Sequence, residues 1–201
     1  MAGKPSSQQN ILQAALDVFA DAGYDSGSLH TIAARVGIKT PSIYAHFQSK
    51  ADLFNRVLEQ ALNSWESQVR QIFGKFQAEP DLKRSLNLIL QEFIQTLVGT
   101  PAYRFWARVF TQPPPFLSAQ ELSRLREMDN LLGSLLVEHC TTRLPQNTNT
   151  AETEIFCTSL IFFVLGIMSY GELMPPENMK RLIERGVQFH LRALGAKEYH
   201  A

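Results

Sequence analysis

Polar side chains suited to contacts with nucleic acid are concentrated in a short segment near residue 40. They are Lys39, Thr40, Ser42, Tyr44 and His46. Ammonium and hydroxyl groups bind phosphate oxygens, and hydroxyl groups also hydrogen-bond to the edges of bases. Where a helix begins, its free backbone N–H groups and its dipole favour an anion as well. The segment is therefore a candidate contact surface for DNA.

Two short helices are predicted to position this segment. Ser28 can cap a first helix, and Gly37 can end it by supplying a left-handed residue. Pro41 then starts a second helix, with Ile43 and Phe47 facing inward. Two short helices around a glycine turn form the helix-turn-helix pattern, whose second helix enters the major groove of DNA. An ordinary pair of core helices has the same spacing, so that alternative stays open on spacing alone.

Apolar residues recur at three- and four-residue intervals along most of the chain, which predicts an all-α fold of about nine helices without a strand. Besides the helix pair, the predicted helices cover residues 7–22, 49–73, 81–98, 101–110, 118–144, 151–172 and 176–194. The later breaks are short and contain proline or glycine, as within one helical bundle. We expect a helix-turn-helix DNA-binding domain over 1–48 and a helical bundle for ligand binding and dimerisation over 49–201. The long helix at about 49–73 links the two.

Composition excludes several classes of protein. Of 201 residues, 45% are hydrophobic and 19% charged, and the formal net charge of +0 favours neither an acidic nor a basic partner. Cys140 and Cys157 form no metal or disulfide spacing, so we expect reduced core residues in a cytoplasmic protein rather than oxidation sensors. The N-terminus lacks a secretory apolar region, and the apolar stretch 155–170 is shorter than the ~20 residues that span a bilayer. Neither export, a membrane, a metal nor a cofactor is expected.

Charge is distributed unevenly within the first fifty residues. Four Lys or Arg residues oppose three Asp residues there, and all three Asp precede Ser28. Arg35, Lys39 and Lys50 lie within or beside the predicted helix pair. We therefore expect a locally positive field at the candidate surface, although the chain as a whole is neutral.

The first quarter of the chain resembles the N-terminal signature of the TetR family of bacterial transcriptional regulators. The matching residues are Ile11, Leu12, Ala14, Ala15, Phe19, Gly23, Tyr24, Ser28, Ile32, Ala33, Gly37, Ile38, Ile43, Tyr44, His46, Phe47, Ser49, Lys50 and Leu53. The rest of the chain supports the resemblance through its length and helical organisation. Three positions depart from it: many members have a hydroxyl residue at Gly27, a small polar residue at Lys39 and a longer basic residue at His30.

The resemblance implies roles for individual residues on double-stranded DNA. Ser28 and Lys50 would bind phosphates, and Tyr44 would pack or hydrogen-bond against the DNA backbone. Five residues would lie along the groove and contact base edges or the thymine methyl group: Lys39, Thr40, Pro41, Ser42 and His46. Two simpler interpretations stay open, in which Ser28 only caps its helix and His46 only covers Phe47.

The second part of the chain is implied to bind a small-molecule effector among its middle helices. Five aromatic residues are candidates for the pocket lining: Phe105, Trp106, Phe110, Phe116 and Phe162. The shortage of charge among them favours a large apolar or aromatic ligand. Aromatic residues at helical spacing are more often ordinary core, so this alternative applies to each of the five.

The last two helices carry more apolar residues than one inward stripe requires. A helix that is apolar on all sides must be covered on both sides, which a second copy of the chain would do with the same pair of helices. The candidate interface residues are Phe156, Leu160, Phe163, Ile167, Leu182, Val187 and Phe189. A twofold dimer would present two helix-turn-helix segments to a palindromic operator.

Together these features favour a homodimeric repressor that a ligand releases from its operator. Two related alternatives are an activator of the same family and a ligand-binding protein that has lost DNA recognition. An enzyme is disfavoured because no paired carboxylates with a histidine, no phosphate loop and no activated nucleophile are evident in the sequence.

Overall fold

The computed structural model describes residues 7–144, 149–170 and 174–194. Nine α-helices and no strand lie within these ranges, which confirms the predicted all-α fold. They are α1 (Ser7–Ser26), α2 (Leu29–Val36), α3 (Thr40–Tyr44), α4 (Lys50–Lys75), α5 (Leu82–Leu97), α6 (Pro101–Thr111), α7 (Ala119–Thr141), α8 (Thr150–Tyr170) and α9 (Pro176–Ala193). The predicted end of the eighth helix at residue 172 lies outside the described residues. No helix in the described ranges is long and apolar enough to cross a membrane.

The helices divide between two compact units. The first unit comprises Met1–Trp65 and Gly99–Leu125, and the second comprises Glu66–Val98 and Arg126–Ala201. Helices α4 and α7 each contribute to both units. The predicted domains 1–48 and 49–201 follow the order of the sequence and remain a prediction.

An aromatic cluster forms the core of the first unit. The ring of Phe54 lies 5.1 Å from those of both Phe19 and Phe105, and the ring of Phe116 lies 4.3 Å from that of Tyr24. Phe19, Phe54 and Phe105 are fully buried, and burying such rings is the main source of stability in a small helical unit. The cluster therefore joins α1, α4 and α6.

The second unit is built around α5, α8 and α9. Phe93, Leu160 and Val187 are buried in its interior. Helices α8 and α9 approach closely at Gly186, because a Cβ atom there would lie 2.0 Å from the ring of Phe163. The glycine thus makes room for the phenylalanine ring between the two helices.

Two differences from the predicted helix boundaries affect the segment near residue 40. Helix α1 continues to Ser26 instead of ending before Gly23, but Gly23 interrupts it with φ 75° and ψ −179°. Helix α3 has five residues and ends at Tyr44, so Phe47 follows the helix rather than lying in it. A backbone hydrogen bond of 3.0 Å from Phe47 N to Ile43 O still turns the chain so that Phe47 is buried.

Candidate nucleic-acid interface

The helix-turn-helix segment, residues 28–47, is held by local hydrogen bonds. The Ser28 side chain caps α2 by accepting a hydrogen bond of 3.0 Å from the backbone N–H of Thr31. At the other end Gly37 adopts φ 74° and ψ 29°, and Ile38 N donates to Ala33 O at 3.0 Å. Only glycine enters this left-handed conformation without strain, so the turn fixes the direction in which the chain enters α3.

Helix α3 has one buried side and one exposed side. Ile43 and Phe47 are 1% and 2% exposed, as predicted, whereas Tyr44 is 56% exposed. Pro41 lies in the first turn, where its missing N–H costs no hydrogen bond. The buried pair fastens the segment to the first unit, and the other side is left available for a partner.

Most of the predicted DNA-contacting residues are accessible in the structure. Six of them are exposed: Ser28, Lys39, Pro41, Ser42, Tyr44 and His46. The other two, Thr40 and Lys50, are half-buried. Lys39, Ser42, Tyr44 and His46 thus present exposed polar side chains around the buried Ile43, and the individual contacts with DNA remain predictions.

Lys50 has an additional role that the sequence did not indicate. Its ammonium group donates a hydrogen bond of 3.2 Å to the carbonyl oxygen of Asp25 and lies 4.4 Å from the centre of the Tyr24 ring. Lys50 therefore ties the start of α4 to the last turn of α1. An ammonium group has three N–H donors, so this contact leaves capacity for a phosphate.

One of the cations expected to make this surface positive is paired with acidic residues of α1. Arg35 lies 3.8 Å from a carboxylate oxygen of Asp17 and 3.7 Å from one of Asp21, so the acidic residues of α1 compensate it. Within the described part of residues 28–50, Lys39 is the exposed lysine without an ion pair. The separation of acidic and basic residues in sequence does not persist in space because α1 packs beside α2.

Gly27 departs from the family pattern for a steric reason. A Cβ atom at this position would lie 2.7 Å from the carbonyl oxygen of Gly23 and 2.9 Å from the Phe19 ring. Both distances are shorter than a van der Waals contact, and the carbonyl belongs to the backbone and cannot turn aside. A hydroxyl residue therefore does not fit here, which leaves Ser28 as the hydroxyl that precedes α2.

The predicted pocket residues do not line one cavity. Phe105 and Trp106 are buried in the core of the first unit, Phe116 is half-buried, and Phe110 is partly exposed. Phe162 lies in the second unit and is 69% exposed, so its side chain faces solvent. Phe162 thus lies apart from the other four, because shared aromatic character carries no information on the direction of each side chain, and the pocket assignment remains a prediction.

Grooves are present elsewhere on both units. The second unit has a groove of about 420 Å³ between α8 and α9, lined in part by Ile155, Ser159 and His190. The first unit has a smaller one of about 210 Å³ between α1, α4 and α6, without a charged residue in its lining. Neither groove contains a residue of the predicted pocket set.

A parallel stack of three rings lies along α4 and α6. Trp65 and Trp106 stack at 5.3 Å and 10°, and Phe110 continues the stack at 5.4 Å and 22°. The indole N–H of Trp106 is buried without a hydrogen-bond partner in the described structure. An orphaned donor is costly, so this is the polar atom of the first unit that would gain most from a new acceptor.

The predicted dimer residues separate into two groups. Phe156, Leu160, Ile167 and Val187 are buried within a single chain, so they serve its own core and cannot also cover a partner. Phe163 and Leu182 are half-buried, and Phe189 is 70% exposed. The interface assignment remains a prediction, and the exposure of the single chain favours Phe163, Leu182 and Phe189 over the buried four. A helix that is apolar on all sides does not show in its sequence which side its own chain covers.

Two exposed residues on α8 were not among the predicted dimer-interface residues. Ile155 and Phe162 are 70% and 69% exposed, and they are seven residues apart, which places them on one face of the helix. The seven-residue spacing of Ile155 and Phe162, out of register with Phe156 and Leu160, could have predicted that they lie on a different face of the helix from the buried pair. Phe189 of α9 is a third large apolar side chain that the second unit exposes among its described residues.

A buried histidine lies in the second unit. The Ser85 hydroxyl donates to Leu82 O at 3.0 Å, so the neutral His139 ring donates through Nε2 to Ser85 Oγ at 2.9 Å. Burial, and secondarily the charge of Arg143, lower the pKa of His139 from 6.5 to about 4.

The two cysteines are buried and free, as expected for core residues. A side-chain hydrogen bond with Cys157, together with burial, raises the pKa of Cys140. The described residues contain no cluster of three or more histidine, cysteine or carboxylate side chains that could hold a metal ion.

The first quarter of the chain matches a known family. Residues 11–57 match the family model described as bacterial regulatory proteins, tetR family. The HTH-type transcriptional activator FasR of Mycolicibacterium smegmatis is 41% identical over 61 residues, which cover 30% of this chain and 28% of FasR. Residues 11–57 therefore belong to the tetR family of bacterial regulatory proteins. The chain as a whole spans less than two thirds of the length of the curated relatives that it matches.

Solved structures extend the similarity of fold beyond the TetR signature. The TetR-family transcriptional regulator SCO4454 from Streptomyces coelicolor has a TM-score of 0.72 and 19% identity, covering 93% of this chain and 95% of that one. The transcriptional regulator FadR from Bacillus subtilis, solved in complex with stearoyl-CoA, has a TM-score of 0.60 and 15% identity, covering 89% and 96%. The TetR fold therefore accounts for nearly the whole chain.

Proposed function

We propose that this chain is a transcriptional regulator that binds operator DNA in the bacterial cytoplasm. The observation that supports this function is the helix-turn-helix segment itself, where buried Ile43 and Phe47 hold α3 and leave Ser42, Tyr44 and His46 exposed. An exposed, polar short helix on a buried apolar base is the arrangement by which such segments enter the major groove. The match of residues 11–57 to the tetR family supports the same function.

Repression is the first candidate for the direction of regulation. A protein that occupies a promoter excludes polymerase by simple competition, which requires no further contact surface. Activation is the second candidate, because FasR, which shares 41% identity over the matched segment, is named an activator. A reporter joined to the operator distinguishes them: deletion of the protein raises expression under repression and lowers it under activation.

The regulator is proposed to act as a homodimer. Ile155, Phe162 and Phe189 expose large apolar surfaces to water in the single chain, and a second copy would cover them. Two identical helix-turn-helix segments related by twofold symmetry would then bind a palindromic operator.

A small molecule is proposed to release the protein from DNA. FadR from Bacillus subtilis has a similar fold and was solved in complex with stearoyl-CoA, which supports an effector with a large apolar part. The rings of Trp65 and Phe110 stacked on Trp106, and its unpaired indole N–H, favour a ligand that offers an apolar surface and a hydrogen-bond acceptor. A ligand that prefers the DNA-free conformation by ~1.4 kcal/mol weakens DNA binding about tenfold.

DNA selection followed by fluorescence anisotropy tests the proposal. The full-length protein is used to enrich a random duplex pool, and binding of the enriched sequence is compared with a shuffled control at fixed salt. We expect tight binding to the enriched sequence alone and its loss in Tyr44→Ala. Phe110→Ala, which changes an exposed aromatic residue outside the helix-turn-helix segment, is the matched control. No enrichment, or equal binding by Tyr44→Ala, would contradict DNA recognition through α3.

A further inference from the structure

Arginines from two other helices converge on Asp21, near the end of α1. Arg104 of α6 donates a hydrogen bond of 3.2 Å to Asp21 Oδ1 and another of 2.7 Å to the carbonyl oxygen of Gly99. Arg35 of α2 lies 3.7 Å from the second carboxylate oxygen. The carboxylate of Asp21 thus connects α1 with α2 and α6.

Arg108 holds the main chain at the same place. It donates a hydrogen bond of 3.1 Å to the carbonyl oxygen of Asp21. Its side chain also lies over Gly23, where a Cβ atom would be 3.3 Å from Arg108 Cδ and 3.4 Å from Nη1. Arg104 and Arg108 are one turn apart on α6, so both reach α1 from the same side.

Arg104 and Arg108 contact α1 beside its bend at Gly23. Gly23 has a φ of 75°, a conformation that other residues enter only with strain, and its extended ψ directs the chain toward α2. Gly27 N donates to Gly23 O at 3.1 Å and has no room for a side chain beside that carbonyl. The position of Gly23 therefore determines where α2 begins.

We propose that Arg104 and Arg108 are positioning residues that hold the helix-turn-helix segment in the conformation that binds DNA. This proposal rests on the proposed function as a DNA-binding regulator. The arginines act through Asp21 and the bend at Gly23, without touching the nucleic acid themselves.

The size of the effect follows from preorganisation. A protein whose binding-competent conformation is only partly populated binds with an affinity reduced by that fraction. The contacts of Asp21 are largely exposed, so each one shifts such an equilibrium modestly. We expect each arginine variant to weaken operator binding about three- to tenfold.

Dependence on salt separates positioning from direct contact. Removing a cation that neutralises a phosphate lowers the slope of log affinity against log salt concentration by about 1. Arg104→Gln and Arg108→Gln remove cations that bind the protein's own carboxylate and carbonyl oxygens. They should therefore weaken binding and leave the slope unchanged.

Arg104 binds the side chain of Asp21 and Arg108 binds its backbone carbonyl, so double variants should distinguish the two arginines. Asp21→Ala removes the carboxylate that Arg104 binds but keeps the backbone carbonyl that Arg108 binds. Combined with Asp21→Ala, Arg104→Gln should cause a smaller loss of affinity than it does alone, whereas Arg108→Gln should cause its full loss. A general loss of stability would not distinguish the two arginines in this way.

The experiment measures anisotropy of the full-length variants on the DNA sequence enriched by the parent protein, over a range of salt concentrations. Arg84→Gln is the matched control, because Arg84 is an exposed arginine of the second unit that pairs with Glu79 at 3.1 Å. Thermal unfolding checks that each variant is folded, and Arg104→Lys replaces any variant that is not. Weaker binding with an unchanged slope, and with the stated coupling, supports the proposal.

Three results would overturn it. Affinities equal to that of Arg84→Gln would show that the arginines do not position the segment, while DNA binding by the parent would leave the proposed function intact. A slope lowered by about 1 would show that they contact phosphate directly. Failure of the parent to enrich any sequence would contradict the proposed function, and the positioning role with it.

Discussion

The helix-turn-helix segment and the α8–α9 pair expose opposite kinds of surface. In the first, Ile43 is buried and Ser42 and Tyr44 face solvent. In the second, Leu160 is buried and Phe162 still faces solvent. A polar surface is stable in water without its partner, which suits reversible binding to DNA. Large apolar side chains exposed to water favour a permanent interface that buries them. This contrast supports the proposal that one surface binds DNA transiently and the other is covered lastingly by a second copy.

The sharpest test of this contrast compares two residues that were both predicted to lie in the dimer interface. Leu160→Asp places a charge in the core of the second unit and should lower the free energy of unfolding by more than about 4 kcal/mol. Phe189→Asp changes an exposed residue, so the fold should persist while self-association is lost. Urea unfolding and sedimentation velocity measure the two effects.

The prediction distinguishes burial in the chain from burial between copies. A folded Leu160→Asp protein would show that the core assignment is wrong. If Phe189→Asp remains as strongly associated as the parent protein, Phe189 does not contribute to the interface between copies.

Gly27 tests how tightly the first unit is packed beside the DNA-binding surface. Gly27→Ala forces a Cβ atom against the Gly23 carbonyl and the Phe19 ring, and we expect a loss of about 2–3 kcal/mol in the free energy of unfolding. Gly74→Ala is the control, because a Cβ atom there meets nothing within 4 Å and should be neutral or slightly stabilising. Equal effects in urea unfolding would contradict the steric explanation.

Acid provides a test of the interior of the second unit. Because the pKa of His139 is lowered to about 4, the unfolded chain binds a proton below pH 6.5 that the folded chain does not bind until about pH 4. The free energy of unfolding should therefore fall as the pH is lowered from 6.5 to 4, by up to about 1.4 kcal/mol per pH unit from this group. Urea unfolding at several pH values measures the slope.

A control isolates the histidine from the other titrating groups. His139→Gln should reduce the slope between pH 6.5 and 4, whereas His30→Gln, at an exposed position of the first unit, should leave it unchanged. The same slope in both variants would show that His139 is not responsible for the acid sensitivity.

The smallest expected effects separate two lysines of the candidate surface. Lys39 is exposed without an ion pair in the described structure, so Lys39→Ala should lower the salt slope of operator binding by about 1 and hardly change stability. Lys50 contacts Asp25 O and the Tyr24 ring, so Lys50→Ala should also lower the free energy of unfolding by about 0.5–1 kcal/mol. Anisotropy and urea unfolding of the same preparations measure both quantities.

The reverse outcome would exchange the roles of the two lysines. If Lys39→Ala leaves the salt slope unchanged while Lys50→Ala lowers it, Lys50 binds phosphate in spite of its contacts within the protein. A change in stability for Lys39→Ala would point to an interaction of Lys39 within the folded chain.

The order of helices and the glycine turn were predictable because their causes are local. Ser28 accepts from a residue three positions away, and Gly37 needs only its own left-handed conformation. The inward side of α3 was predictable as well, since Ile43 and Phe47 are spaced one turn apart. A helix of five residues was harder to predict, because the turn after Tyr44 still buries Phe47 through a single backbone hydrogen bond.

Side chains that meet partners far along the chain could not be assigned in the same way. Arg35 lies beside Asp21, and Arg104 reaches Asp21 across more than eighty residues. Nothing in the spacing of these residues distinguishes them from solvated charges on a helix surface. The ion pairs of Arg35 with Asp17 and Asp21 could not be predicted for this reason.

The sequence by itself determined the all-α fold, the helix-turn-helix segment and its resemblance to the TetR family. Helix caps, glycine turns and the spacing of apolar residues act within a few residues, so they can be recognised in the amino-acid sequence. The tertiary structure decided which apolar residues of α8 face solvent, why position 27 must be glycine and which charges are paired. Those properties depend on the distance between helices, which arises only when side chains from separate parts of the chain pack together.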